Sequence, residues 1–205
     1  MTSPPAPTPR PRTRANLGLA GTCLLTGLIA SQAAQAHVVL AEPVALAGTA
    51  YRATLRVGHG CQGSPTTALT VFVPASVRGA KPMPKPGWTL RTRSAVLNLP
   101  ETRHGKTVRE DVVEVHWQAS SPEAALPDGW YDEFVLHVGL PAQGGQLWWR
   151  VLQTCAQGQL DWAQVPARGS STRGLPSPAV PLEVIPPGPS GPNPPEHPAH
   201  AAPGA

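Results

Sequence analysis

The sequence predicts an all-β protein built around a single β-sandwich, and three observations carry that prediction. Apolar and polar residues alternate over short runs. Glycine and proline, 20 and 27 in 205 residues, separate those runs. No stretch sustains the apolar stripe of an amphipathic helix.

Residues 1–36 precede this region and read as a cleaved secretory signal peptide. Arg10, Arg12 and Arg14 stand without an acid, residues 17–30 form an apolar run, and Ala34-Gln35-Ala36 is a small-residue cleavage site. The apolar run is shorter than the roughly 20 residues that a membrane-spanning helix needs, which argues against stable membrane insertion after processing. Cys23 suggests a lipid anchor, but Thr22 stands where a smaller residue is expected. Cleavage after Ala36 makes His37 the first residue.

The folded domain is expected over residues 37–166. Tyr51, Ala53, Leu55 and Val57 alternate with Arg52, Thr54 and Arg56, and Leu69, Val71 and Val73 alternate with Thr70, Phe72 and Pro74. Each set fits a strand with one buried face. Similar runs lie near 88–99, 108–118, 131–140, 146–154 and 159–165. Pro86-Gly87, Asp128-Gly129 and Gly144-Gly145 supply turns between them. Seven to nine strands at this spacing indicate a sandwich with one core.

Residues 167–205 are expected to form a disordered Pro-rich tail, since residues 171–205 hold 11 prolines and little apolar material. Val180 to Ile185 is the one fragment there with the pattern of an ordered segment. His197 and His200, near the end, offer a loose metal pick-up site at most.

Removing the leader takes away three of the 16 basic residues and none of the 12 acidic ones, leaving a net charge of +1. A nearly neutral chain argues against nucleic acid as a partner, because phosphate binding rests on clustered Lys and Arg. Processing also leaves Cys61 and Cys155 as an even pair, which in an oxidising compartment predicts a disulfide. A thiolate metal site is the weaker alternative, because the two cysteines have no CxxC spacing.

Five short words recur in order: His37-Val38-Val39-Leu40; Gly58-His59-Gly60-Cys61 followed by Ser64-Pro65-Thr66-Thr67; Lys85-Pro86-Gly87-Trp88; Tyr131-Asp132-Glu133-Phe134; and Gln153-Thr154-Cys155. In this arrangement the chain resembles the YcnI-like family of exported copper-binding domains. The resemblance implies a sandwich of cupredoxin-like or immunoglobulin-like kind that holds Cu(II) in a single-histidine brace. It places the brace histidine at His37, the carboxylate at Glu133 and a nearby tryptophan at Trp149, with Trp148 and Trp162 as alternatives for the last. The implied partners are the copper ion and another periplasmic copper protein, and the implied location is periplasmic or extracellular.

The chemistry of these residues is consistent with that resemblance. A terminal histidine offers its amine and its Nδ1 to one metal ion, and Cu(II) favours tetragonal N and O donors. The amine titrates near 8 and must lose its proton to bind. Alternation puts Phe134 and Leu136 on the inner face of their strand and Glu133, Val135 and His137 on the other.

A binding protein rather than an enzyme is therefore expected. An oxidative copper enzyme would need a second imidazole from His59, His104, His116 or His137. A metal-free adhesion or scaffold module is the third reading, since a sandwich alone does not choose a function.

Overall fold

The computed structural model describes residues 37–103 and 105–188. The signal-peptide expectation for residues 1–36 lies outside them, as do His104, His197 and His200.

Eleven strands build two sheets. They are β1 (Val39–Leu40), β2 (Val44–Leu46), β3 (Ala50–Val57), β4 (Thr66–Phe72), β5 (Arg78–Pro82), β6 (Trp88–Arg103), β7 (Lys106–Ala119), β8 (Asp132–Gly139), β9 (Gly145–Cys155), β10 (Gln159–Trp162) and β11 (Val180–Ile185). Between β7 and β8 the chain makes one 3₁₀ turn, Pro122–Ala124. No helix among the described residues is long and apolar enough to cross a membrane.

The smaller sheet runs β1-β3-β8-β5. The larger runs β2-β11-β9-β4-β7-β6, with β10 alongside the far end of β9. The all-β sandwich expected from alternation is what forms, and the alternating residues explain why. Tyr51, Ala53, Leu55 and Val57 on β3, with Phe134, Leu136 and Val138 on β8, are buried from one side. Leu69 and Val71 on β4, Val115 and Trp117 on β7, and Trp149 and Val151 on β9 are buried from the other. Dispersion and apolar burial between these two faces hold the sheets together.

The C-terminal boundary differs from the one expected. The sandwich does not end at residue 166, because Val180–Ile185 form one of its strands, and the tail expectation for residues 189–205 lies outside the described residues. The chain loops out after Gln164 and returns, with Ser177 O accepting from Ala163 N and Gln164 N at 3.1 and 3.0 Å and Ala179 N donating to Gln164 O at 2.8 Å. It then enters the larger sheet as β11, antiparallel to β9 and parallel to β2. Val180, Leu182 and Val184 point into the core and are at most 2% exposed. Pro181 is tolerated because β2 pairs only with Glu183 to Ile185, so that β11 has a single neighbour at the proline.

Candidate functional site

The five sequence words fold into two separate clusters. Lys85-Pro86-Gly87-Trp88 and Tyr131-Asp132-Glu133-Phe134 meet each other: Lys85 Nζ lies 2.6 Å from Asp132 Oδ1 and 5.1 Å above the Phe134 ring. Trp88 and Trp117 each pack edge-on against Phe134, at 5.2 and 5.6 Å between ring centroids. These two words lock β6 to β8.

The words around His37, His59 and Gln153 form the second cluster, centred on Trp162. Trp162 is 1% exposed at the end of β10. Its register opposite Val151 turns its ring toward the core face. The His37 ring meets it edge-on at 5.5 Å, and the His59 ring does the same at 6.1 Å. His37 is half-buried, and its position is set by β1, where Val39 pairs with Arg56 and Leu40 with Leu55.

Gln153 ties this cluster together. It is wholly buried on the inward edge of β9. Its Oε1 accepts from Trp162 Nε1 at 3.1 Å, and its Nε2 donates to His59 O at 2.6 Å and to Thr66 Oγ1 at 2.7 Å. One side-chain amide thereby joins three segments of the chain to β9, satisfying groups that would be costly to bury unpaired.

The loop that carries His59 is held by local chemistry. Gln62 and Gly63 both take positive φ, 53° and 86°, and Cys61 and Ser64 exchange backbone hydrogen bonds of 3.0 Å around them. That is a tight two-residue turn of the kind glycine favours. A Cβ on Gly60 would lie 1.8 Å from Ser64 O, so only glycine fits there. Gly60 N also donates to Asp128 Oδ1 at 2.9 Å. Cys61 is bonded to Cys155 across 94 residues, which establishes the disulfide expected from the even cysteine pair.

His59 itself has an asymmetric ring. Its Nδ1 is hydrogen-bonded to Gly60 O, whereas its Nε2 is buried and has no hydrogen-bond partner among the described residues.

The candidate ligand Glu133 sits elsewhere. On β8 it faces Arg56 of β3, on the outer side of the smaller sheet, and its Oε1 accepts from Arg56 Nε at 2.9 Å. Arg56 in turn pairs with Val39, so Glu133 stands two strand spacings, roughly 10 Å, across from β1. His137 shares that outer face as the alternation implies, but it is flanked across the sheet by Arg52 and Lys81. Two cationic neighbours disfavour a metal ion there. His116 is bonded through Nδ1 to Thr70 Oγ1 at 2.8 Å.

Of the three candidate tryptophans, Trp162 adjoins His37. Trp149, the position favoured from the resemblance, is fully buried four residues up β9 from Gln153, roughly 13 Å along the strand. Its indole N–H has no hydrogen-bond partner among the described residues. Among those residues no group of three or more His, Cys, Asp and Glu gathers to hold a metal ion. Any metal held at His37 must therefore draw on few side chains.

A second set of charges lies away from this cluster. Asp111, 8% exposed, accepts from Gly79 N, Val112 N and Arg103, while Glu101 joins Arg78 and Arg103. Burial alone would raise the Asp111 carboxyl, but the Arg103 and backbone hydrogen bonds outweigh it and hold the group below the usual range. Tyr51 is pushed up to about 12 by burial and by Glu42, whose backbone oxygen accepts its hydroxyl at 2.6 Å. Both arrangements are internally satisfied and serve the fold.

The profile described as a domain of unknown function (DUF1775) matches residues 37–184, most of the chain. The chain belongs to the DUF1775 family. That family's domain is the YcnI domain, so the resemblance read from the five words holds. The DUF1775 match also ends at β11 rather than at residue 166. Among solved structures the chain is similar to an uncharacterized protein from Nocardia farcinica with an immunoglobulin-like fold, at 29% identity and a TM-score of 0.55. The match covers 72% of this chain and 97% of that one. No curated protein matches the chain.

Proposed function

We propose that this DUF1775 protein is an exported Cu(II)-binding protein, a chaperone or storage module of the periplasm or extracellular space. It uses the single-histidine brace that cleavage after Ala36 would create at His37, and it exchanges copper with another copper protein. The observation that carries this reading is the 5.5 Å contact between His37 and Trp162. A short strand anchors the residue that becomes the terminus, and an indole that is itself pinned by Gln153 supports its ring. Such a residue presents amine and imidazole together, and Cu(II) accepts that pair strongly. Few fixed donors leave part of the coordination sphere open, which suits exchange with a partner.

Glu133 is the proposed carboxylate donor, and it would have to leave Arg56 to serve. Glu133→Gln should then lower copper affinity while changing stability by less than about 1 kcal/mol, the usual worth of an exposed ion pair. Unchanged affinity in that variant removes Glu133 from the site.

The deciding experiment compares the chain beginning at His37 with one that carries a single alanine before it. Competition with a chelator should show tight Cu(II) binding in the first and its loss in the second, because the extra residue converts the amine to an amide. Equal affinities would end the brace reading.

A further inference from the structure

Three features of His59 point to a ligand and are not used by a single-histidine brace. Its Nδ1 faces the carbonyl of Gly60, which can only accept, so Nδ1 carries a proton. In the neutral ring the lone pair is then on Nε2. That atom is buried, and no described residue donates to it. The ring also lies against the same indole as His37. A histidine whose one nitrogen is fixed by a backbone carbonyl while the other is left open has the arrangement by which proteins preset a metal-binding tautomer.

We propose that His59 Nε2 is a second nitrogen donor to the metal ion held at His37, with Trp162 as the apolar wall shared by both imidazoles. The proposal rests on the copper-binding reading above and adds a donor to it.

The backbone of His59 is prepared for this role from both ends. Two residues before Cys155, Gln153 grips the His59 carbonyl, and two residues after His59, Cys61 is bonded to Cys155. Asp128 and the turn at Gln62-Gly63 fix the loop on its other side. His59 is thus the stationary imidazole. His37 precedes the first strand and is the more adjustable of the two, so the ion would draw His37 toward His59. No other histidine among the described residues has this combination: His116 spends Nδ1 on Thr70, and His137 stands between two cations.

The test uses the chain beginning at His37, loaded with one equivalent of Cu(II). Pulsed EPR reads coordinated imidazoles through their remote nitrogens, and two are expected in the wild type and one in His59→Ala. Chelator competition should show affinity falling about tenfold or more in His59→Ala. A single imidazole in the wild type, with unchanged affinity in His59→Ala, would mean that Nε2 holds only a water molecule, and the proposal falls while the brace stands. Failure of the wild type to retain copper would instead remove the brace and this donor together. Near-UV circular dichroism checks the fold of His59→Ala; should that variant not fold, the imidazole count in the wild type decides alone.

Discussion

Replacing Gln153 with leucine tests whether the Trp162 cluster is held as its hydrogen bonds indicate. Leucine has similar bulk but can make none of the three bonds at 2.6, 2.7 and 3.1 Å. The Thr66 hydroxyl has a weak alternative in Cys155 Sγ at 3.9 Å, whereas the Trp162 N–H has none, because the residue is 1% exposed. An unsatisfied buried donor costs about 1–3 kcal/mol, and each lost bond about 0.5–1.5 kcal/mol beyond that. A destabilisation of about 3 kcal/mol is expected, a large share of the 5–15 kcal/mol that typical domains possess. Urea unfolding followed by tryptophan fluorescence would show it as a lower midpoint with an unchanged slope. On the proposed copper-binding reading, affinity for Cu(II) should fall as well, since the wall beside His37 would lose its anchor. A stability loss below about 1 kcal/mol would refute the assignment of Gln153 as the fastening point of the cluster.

Other consequences follow from the same packing. Replacing Cys61 and Cys155 together by alanine removes a link across 94 residues and should cost about 3–5 kcal/mol, read as a drop in Tm that reducing agent no longer enlarges. Ending the chain at residue 178 strips Val180, Leu182 and Val184 from the core; at about 1.5–3 kcal/mol for each buried side chain the remainder should not fold, and retained near-UV circular dichroism would contradict this. Because Asp111 titrates below its ordinary range, its contribution to stability is complete above its unfolded value near 3.9 and is lost as pH falls through the folded one. Asp111→Asn should therefore flatten the acid limb of a Tm against pH curve; an identical limb would mean the cluster does not govern acid unfolding.

Much of the fold was legible because one-sided burial leaves a period-2 imprint, clearest in β3 and β8. The strands that escaped were those whose ordering depends on partners distant in sequence. β1 and β2 are too short to alternate, and β5 carries a register shift against β8. β11 hides among prolines, yet Val180, Leu182 and Val184 carried its imprint. At the site, the Cys61–Cys155 bond was legible from the cysteine count. Trp162 rather than Trp149 beside His37 required the β9–β10 register, which no spacing along the chain encodes. Gln153 stands inside one of the five words, but its role is visible only in the fold. The available signal was a polar side chain at an inward position between Val151 and Cys155.

The order in which strands are inserted has a consequence for synthesis. β11, the last strand of the described residues, fills the slot between β9 and β2, and β2 is among the first. Until residue 185 has emerged, the larger sheet has a gap at β9 and its earliest strand has no neighbour within that sheet. Closure of the larger sheet is therefore a late event in synthesis, whereas β3 and β8 of the smaller sheet can pair as soon as residue 139 has emerged.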